Sequence, residues 1–173
     1  MRAACNFEEF EDAWQDFLGC LEKSWIKTER ACQPFSNRFQ PWQGRFKKRR
    51  KDDLLLRYLK HARNADEHTL QETVEHHPGH RTLNPAYGNS WYIEHLEIQG
   101  GEIVSYSGDK PLVVRDYPAR LELRRFQDSG TWYEPPAYHQ GRRLQQRDPI
   151  SVAETGLRFY THFVEQAEER FFS

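Results

Sequence analysis

The sequence predicts an α+β fold, a core of three to four antiparallel helices with a small antiparallel β-sheet inserted before the C-terminal helix. Three observations predict it. Apolar residues recur at three- and four-residue steps over about residues 6–33, 52–76 and 149–171. The period turns to two between about residues 90 and 133, where turns at Gly100-Gly101 and Asp128-Ser-Gly130 punctuate the chain. Each helical stretch has one apolar face, which only the other elements can cover, so the 173 residues read as a single domain, 1–173.

The first helix places Phe7, Phe10, Trp14, Phe17, Leu18, Leu21, Trp25 and Cys32 on one stripe. Asn6 with Glu9 three residues on has the form of a capping box, and Pro34 ends the helix. From Pro34 to Lys51, Phe35, Phe39, Trp42 and Phe46 keep helical spacing across Pro41 and Gly44, which predicts a short, irregular second helix with its cations outside. The next helix begins at Asp52 and Asp53, an N-cap and acidic first turn, and carries Leu55, Leu59, Ala62, Thr69, Leu70 and Val74 on its core face. It is expected to run to about His76, where His-His-Pro-Gly-His breaks it into a loop of exposed histidines.

Ser90–Ile98 and Glu102–Tyr106 flank Gly100-Gly101 as a hairpin, followed by strands at Leu112–Arg115, Ala119–Phe126 and, after the turn at Asp128-Ser-Gly130, Thr131–Tyr133. The Pro-rich segment 134–143 is an extended connection with His139 in a loop. Asp148-Pro149 then caps a last helix whose stripe is Val152, Ala153, Leu157, Tyr160, Val164, Ala167 and Phe171.

Composition narrows the function classes. The chain is 37% hydrophobic and 14% aromatic, enough for a substantial core, and its formal net charge is -1, so there is no global bias toward nucleic acid. The local bias is Arg45-Phe-Lys47-Lys48-Arg49-Arg50-Lys51, a candidate nucleic-acid-binding surface in which cations would meet phosphates. Cys5, Cys20 and Cys32 are odd in number and lack a CxxC spacing, and His76, His77 and His80 have no further ligand at helical spacing, so no metal site and no cofactor is expected. Neither a signal-peptide core nor an apolar run of membrane-spanning length occurs, and the expectation is a cytoplasmic protein without a membrane partner. A phosphate-binding Gly loop and a nucleophile triad are also absent from the sequence pattern.

The densest chemistry lies on the flank of the central helix. Lys60, Asn64 and His68 recur at four-residue steps there, with Arg57, His61, Arg63 and Glu67 nearby. Arg63-Asn-Ala-Asp-Glu-His68 resembles the signature of the HEPN superfamily, an Arg followed by a polar residue and then, after four to six intervening residues, a His. The surrounding run Leu56–His68 is similar to that of uncharacterised bacterial proteins of this size. The resemblance implies a helical bundle that works as a homodimer and cuts RNA without metal, with Arg63, Asn64 and His68 as catalytic residues. On that reading Arg63 neutralises phosphate, His68 moves a proton, and Asn64 holds the imidazole or the phosphate. Residues five apart on a straight helix point about 140° apart, so Arg63 and His68 need a neighbour or a second subunit to bring them together. The competing reading is a non-catalytic protein-interaction or structural protein, in which Arg63 pairs with Glu67, Asn64 meets His68, and the set is a structural polar network.

Overall fold

The computed structural model describes residue 1 and residues 4–69 and 71–173, with the backbone alone for residues 66–69. The fold is α+β, with four α-helices among the described residues and small antiparallel two-stranded sheets ahead of the last helix. The chain divides into two compact units, Met1–His76 with Leu121–Ser173, and His77–Arg120.

The first unit holds the helices α1 (Phe7–Ala31), α2 (Ser36–Asp52), α3 (Leu54–Thr69) and α4 (Pro149–Phe171). Asn6 caps α1 by accepting the Glu9 N–H at 2.9 Å, and the Glu9 carboxylate reaches back to the Cys5 N–H at 2.8 Å, so the expected reciprocal cap forms with its return bond one residue earlier. Phe10, Trp14, Leu18, Leu21 and Trp25 are buried as the stripe demands. A single 3-10 turn, Gln33–Phe35, follows.

The second helix departs from expectation: it is continuous over 17 residues with Pro41 inside it. Pro41 is exposed, so its ring faces away from the core, while Trp42 and Phe46 pack on Phe163 of α4 at ring-centroid distances of 5.7 and 5.1 Å. Tertiary burial of these aromatics outweighs the one lost backbone bond and the low propensity of Pro and Gly. Asp53 ends α2 through its N–H on the Arg49 carbonyl and opens α3 by accepting the Leu56 N–H at 3.0 Å.

α3 is described to Thr69, and the end of the segment expected to continue it to His76 forms instead β1 (Val74–His77). Leu55, Leu56, Tyr58, Leu59, Ala62 and Ala65 are buried, while the expected core side chains Thr69 and Leu70 lie outside the described residues. The turn into β1 is fixed by Thr73: its hydroxyl accepts from Trp14 Nε1 at 2.9 Å, and its carbonyl accepts from the Arg124 N–H at 2.9 Å and Tyr58 Oη at 3.2 Å. Tyr58 Oη also lies 2.7 Å from the Arg124 carbonyl. Tyr58→Phe leaves that part-buried carbonyl without its hydroxyl partner, and chemical denaturation is expected to show a loss of about 1–2 kcal/mol.

β1 pairs with β6 (Arg120–Leu123). The strand expected at Ala119–Phe126 is divided between β6 and β7 (Phe126–Asp128), and β7 turns back on β8 (Thr131–Tyr133) through Ser129 and Gly130, both at positive φ. Two-residue strands β9 (Tyr138–His139) and β10 (Arg142–Arg143) follow before α4. Asp148 caps α4 by accepting the Ser151 N–H at 3.0 Å. Its buried face is rotated from the expected stripe: Leu157 is 49% exposed, and Gly156, Phe159 and Phe163 are buried instead, because Leu59 fills the space beside Gly156 and Trp25 stacks on Phe163 at 4.2 Å.

In the second unit, β2 (His80–Pro85) pairs antiparallel with β5 (Leu112–Tyr117), and β3 (Ile93–Gln99) with β4 (Glu102–Gly108). The β3–β4 turn is the expected Gly100-Gly101, with φ of 58° and 85°. Arg81 on β2 binds Asp116 at 2.5 Å and also the Gly101 carbonyl, which ties the two hairpins. No residue from 77 to 120 is buried. His80, expected in an exposed loop, lies on β2 and stacks on Tyr117 at 4.8 Å; in the first unit His76 lies on β1 and stacks on Phe7 at 5.7 Å.

Candidate functional site: a cationic cleft beside a carboxylate-held histidine

The flank of α3 that carries the sequence motif is built around Asp128 of β7. His61 Nδ1 lies 2.7 Å from Asp128 Oδ2, Asn64 Nδ2 donates to the same oxygen at 3.2 Å, and Ser129 Oγ donates to Oδ1 at 2.9 Å. His61 and Asn64 are one turn apart on α3, so one carboxylate can meet both. The β7–β8 turn brings it there, and Gln71 fixes the hairpin by bonding the Gln127 N–H at 3.0 Å and carbonyl at 2.9 Å as a neighbouring strand would.

The imidazole is oriented as well as bonded. Tyr133 of β8 lies flat against it, centroids 4.2 Å apart at 17°, and Phe126 stacks behind Tyr133 at 5.5 Å and 15°. Phe126 in turn meets Tyr58 at 5.0 Å, so the stack is anchored in the core. The hydrogen bond from His61 holds the Asp128 carboxyl below the usual carboxylate range; burial opposes it, and the bonds from Ser129 and Asn64 add to it. Burial, with the negative charge of Asp128, raises the Tyr133 phenol against the opposing pull of Arg57.

His61 and Tyr133 form one wall of a cleft of about 470 Å³, whose other lining residues are Trp25, Lys47, Arg50, Lys51, Arg57 and Lys60. That size suits a small ligand or one or two nucleotide units. No carboxylate is among these lining residues. Arg50 is spent internally: it pairs with Glu22, donates to Tyr160 Oη at 2.9 Å and lies over the Trp25 ring at 4.6 Å. Lys47 pairs with Glu29 at 3.3 Å. Lys51, Arg57 and Lys60 have no ion-pair partner among the described residues, so their charge is available to a ligand.

Two other cavities have carboxylates in their lining, Glu72 and Glu75 in one and Glu168 in the other. One, of about 640 Å³, contains Arg124, which Glu72 and Glu75 already engage at 3.0 and 3.4 Å. The other, of about 600 Å³, is an apolar groove with Val164, Ala167 and Phe172.

The sequence-derived candidates are therefore divided. Of the Arg45–Lys51 set, Lys47, Arg50 and Lys51 reach the cleft. Arg45 lies over the Trp42 and Phe46 rings and bonds Gln166 at 2.7 Å, and Lys48 and Arg49 are exposed elsewhere around α2, since consecutive helical residues point about 100° apart. Asn64 joins Asp128, and Arg63 Nη1 makes a long 3.5 Å contact with Asn64 Oδ1. The side chains of Glu67 and His68, and with them the Arg63–Glu67 and Asn64–His68 pairs, lie outside the described residues.

Sequence reasoning placed His61 near the motif but missed its partner Asp128, which stands 67 positions away in a turn sequence. It also placed His139 in a loop, whereas His139 lies on β9 with its Nδ1 3.0 Å from Asp53 Oδ1. The i, i+3 spacing of His61 and Asn64 was the available signal for a shared partner.

Among the described residues, no group of three His, Cys, Asp or Glu side chains is arranged to hold a metal ion, and no helix is long and apolar enough to cross a membrane. No family model, no curated protein and no solved structure matches the chain.

Proposed function

We propose that this protein associates with RNA and acts, as a homodimer, as a metal-independent ribonuclease related in kind to the HEPN superfamily. The observation that carries the reading is the cleft: three cations without ion-pair partners among the described residues stand beside an imidazole held by a carboxylate. Phosphates are the ligands such a site attracts, and Trp25 and Tyr133 give it aromatic walls. The Arg63-Asn64-x3-His68 signature belongs to the same proposal, with a second copy of α3 supplying what one helix cannot bring together.

The test is binding of single-stranded RNA to the wild type and to a Lys51→Ala, Arg57→Ala, Lys60→Ala triple variant across a salt series. Losing three phosphate contacts is expected to flatten the dependence of log affinity on log salt by about 2 and to weaken binding about tenfold or more at low salt. Equal slopes for the two proteins would remove the cleft from RNA binding.

A second reading has its own observation. Asp128 accepts from both His61 and Asn64, a pattern that also serves to tie the β7–β8 hairpin to α3 in a non-catalytic interaction protein. On that reading the wild type leaves RNA uncut in the presence of a chelator, and His61 variants lose stability but no activity.

A further inference from the structure

We propose that His61, rather than a residue of the Arg63–His68 signature, is the catalytic base of the cleft, and that its substrate is a phosphodiester of single-stranded RNA. The assignment rests on the RNA-binding reading above and adds to it the reaction and the residue.

The two nitrogens of His61 have different surroundings. Nδ1 is taken by Asp128, while no hydrogen bond among the described residues involves Nε2, and the residue lines the cleft with its side chain 24% exposed. A carboxylate on Nδ1 fixes the tautomer that carries its proton there and leaves the Nε2 lone pair to accept another. It also stabilises the imidazolium that results, which is the role a buried carboxylate has behind any histidine base. Asp128 is 14% exposed and is itself held by Asn64 and Ser129, and Tyr133 prevents the ring from turning. Position, tautomer and charge stabilisation are thus all in place before a ligand arrives.

Among the described residues, the charged and titratable groups that line the cleft with His61 are Tyr133 of the hairpin, Arg57 and Lys60 of α3 itself, and Lys47, Arg50 and Lys51 of α2, while Asp128 meets its ring at Nδ1. Lys51, Arg57 and Lys60 balance the negative charge that builds on the non-bridging phosphate oxygens. In the step, Nε2 takes the proton of a ribose 2′-hydroxyl as that oxygen attacks the adjacent phosphorus. The O2′–P bond forms and the P–O5′ bond breaks. The 5′-oxygen leaves with the bonding pair and gains one proton from solvent, to which His61 returns the proton it accepted. Nothing is oxidised or reduced, no water is consumed, and the products are a 2′,3′-cyclic phosphate and a 5′-hydroxyl. The requirement for the 2′-hydroxyl selects RNA over DNA.

The test uses the full chain, a chelator, and two versions of one oligonucleotide: single-stranded RNA for cleavage and its 2′-O-methyl form, which cannot react, for binding. His61→Gln is expected to slow cleavage by about 10²–10⁴-fold while binding the 2′-O-methyl oligonucleotide within about twofold of the wild type. Asp128→Asn keeps the shape of the positioning residue and removes its charge. It is expected to slow cleavage through kcat, with KM within about twofold of the wild type, because the imidazolium formed in the step loses the carboxylate that stabilises it. This variant carries the test if His61→Gln melts below the assay temperature. Wild-type protein that binds the 2′-O-methyl oligonucleotide but cuts no RNA overturns the catalytic assignment and leaves the association standing. Undiminished cleavage by His61→Gln, or an unchanged kcat in Asp128→Asn, overturns the assignment to His61. Absence of binding to either oligonucleotide removes the RNA reading and the assignment together.

Discussion

Trp14→Ala is expected to lower the folding stability by about 3–5 kcal/mol and to leave the cleft untouched. Trp14 is 1% exposed in the middle of α1 and belongs to the continuous core with Phe10, Leu18 and Trp25. Truncation opens a cavity where an indole stood, and the surrounding helices can collapse into it only in part. It also removes the Nε1–H that Thr73 Oγ1 accepts at 2.9 Å, in a residue that is itself buried. Thr73 binds Tyr58 and Arg124 through its carbonyl, so the loss reaches the junction between α3 and the strands. Trp14→Phe keeps most of the volume and is expected to cost about 1–3 kcal/mol, the value of leaving a buried acceptor unmet. Urea denaturation of the three proteins measures both; equal midpoints for Trp14→Ala and wild type would show that the residue is not core.

Asp53→Ala is expected to cost about 2–4 kcal/mol at neutral pH, the sum of a lost helix cap and an orphaned backbone N–H. The carboxylate is 8% exposed and joins two segments through three partners: Leu56 N–H at the start of α3 and, at the end of β9, His139 at 3.0 Å with the Gln140 N–H at 2.6 Å. Gln140 has φ of 49°, a left-handed conformation uncommon for a residue with a side chain, and Asp53 is what holds its N–H there. Burial pushes the Asp53 carboxyl up, but the bonds from His139, Gln140 and Leu56 together outweigh it, and the carboxyl sits below its usual value. A carboxyl depressed in the folded state adds stability above its unfolded value of about 4 and loses it as the pH falls through the folded value. The difference in stability between wild type and Asp53→Ala is therefore expected to shrink between pH 5 and pH 3, on the order of the carboxylate range. A constant difference across that window would show that the charge of Asp53 contributes nothing.

Much of the local structure was legible in the residues themselves. The Asn6–Glu9 cap, the Asp148-Pro149 start of α4 and the Gly100-Gly101 turn each depend on side chains within about four positions of the backbone they satisfy. The stripe of α1 was equally clear, because large aromatics at helical spacing leave one face to bury. α3 was overextended to His76 since Val74 continues its apolar spacing, yet Val74 is buried from a strand. An apolar residue records that a position is inside, and the neighbours decide which backbone puts it there.

What the sequence by itself determined, then, was the α+β class, the caps and turns, the faces of the helices to within one turn, and the presence of cations and histidines along α2 and α3. The tertiary structure alone decided which of them meet. It carries Asp128 across 67 positions to His61, sets His139 against Asp53 across 86, and spends Arg50 on Glu22 while leaving Lys51, Arg57 and Lys60 to the cleft. Hydrogen bonds and ion pairs form within a few ångströms, and distance in space between remote residues is set by how the apolar faces pack, which no window of sequence contains.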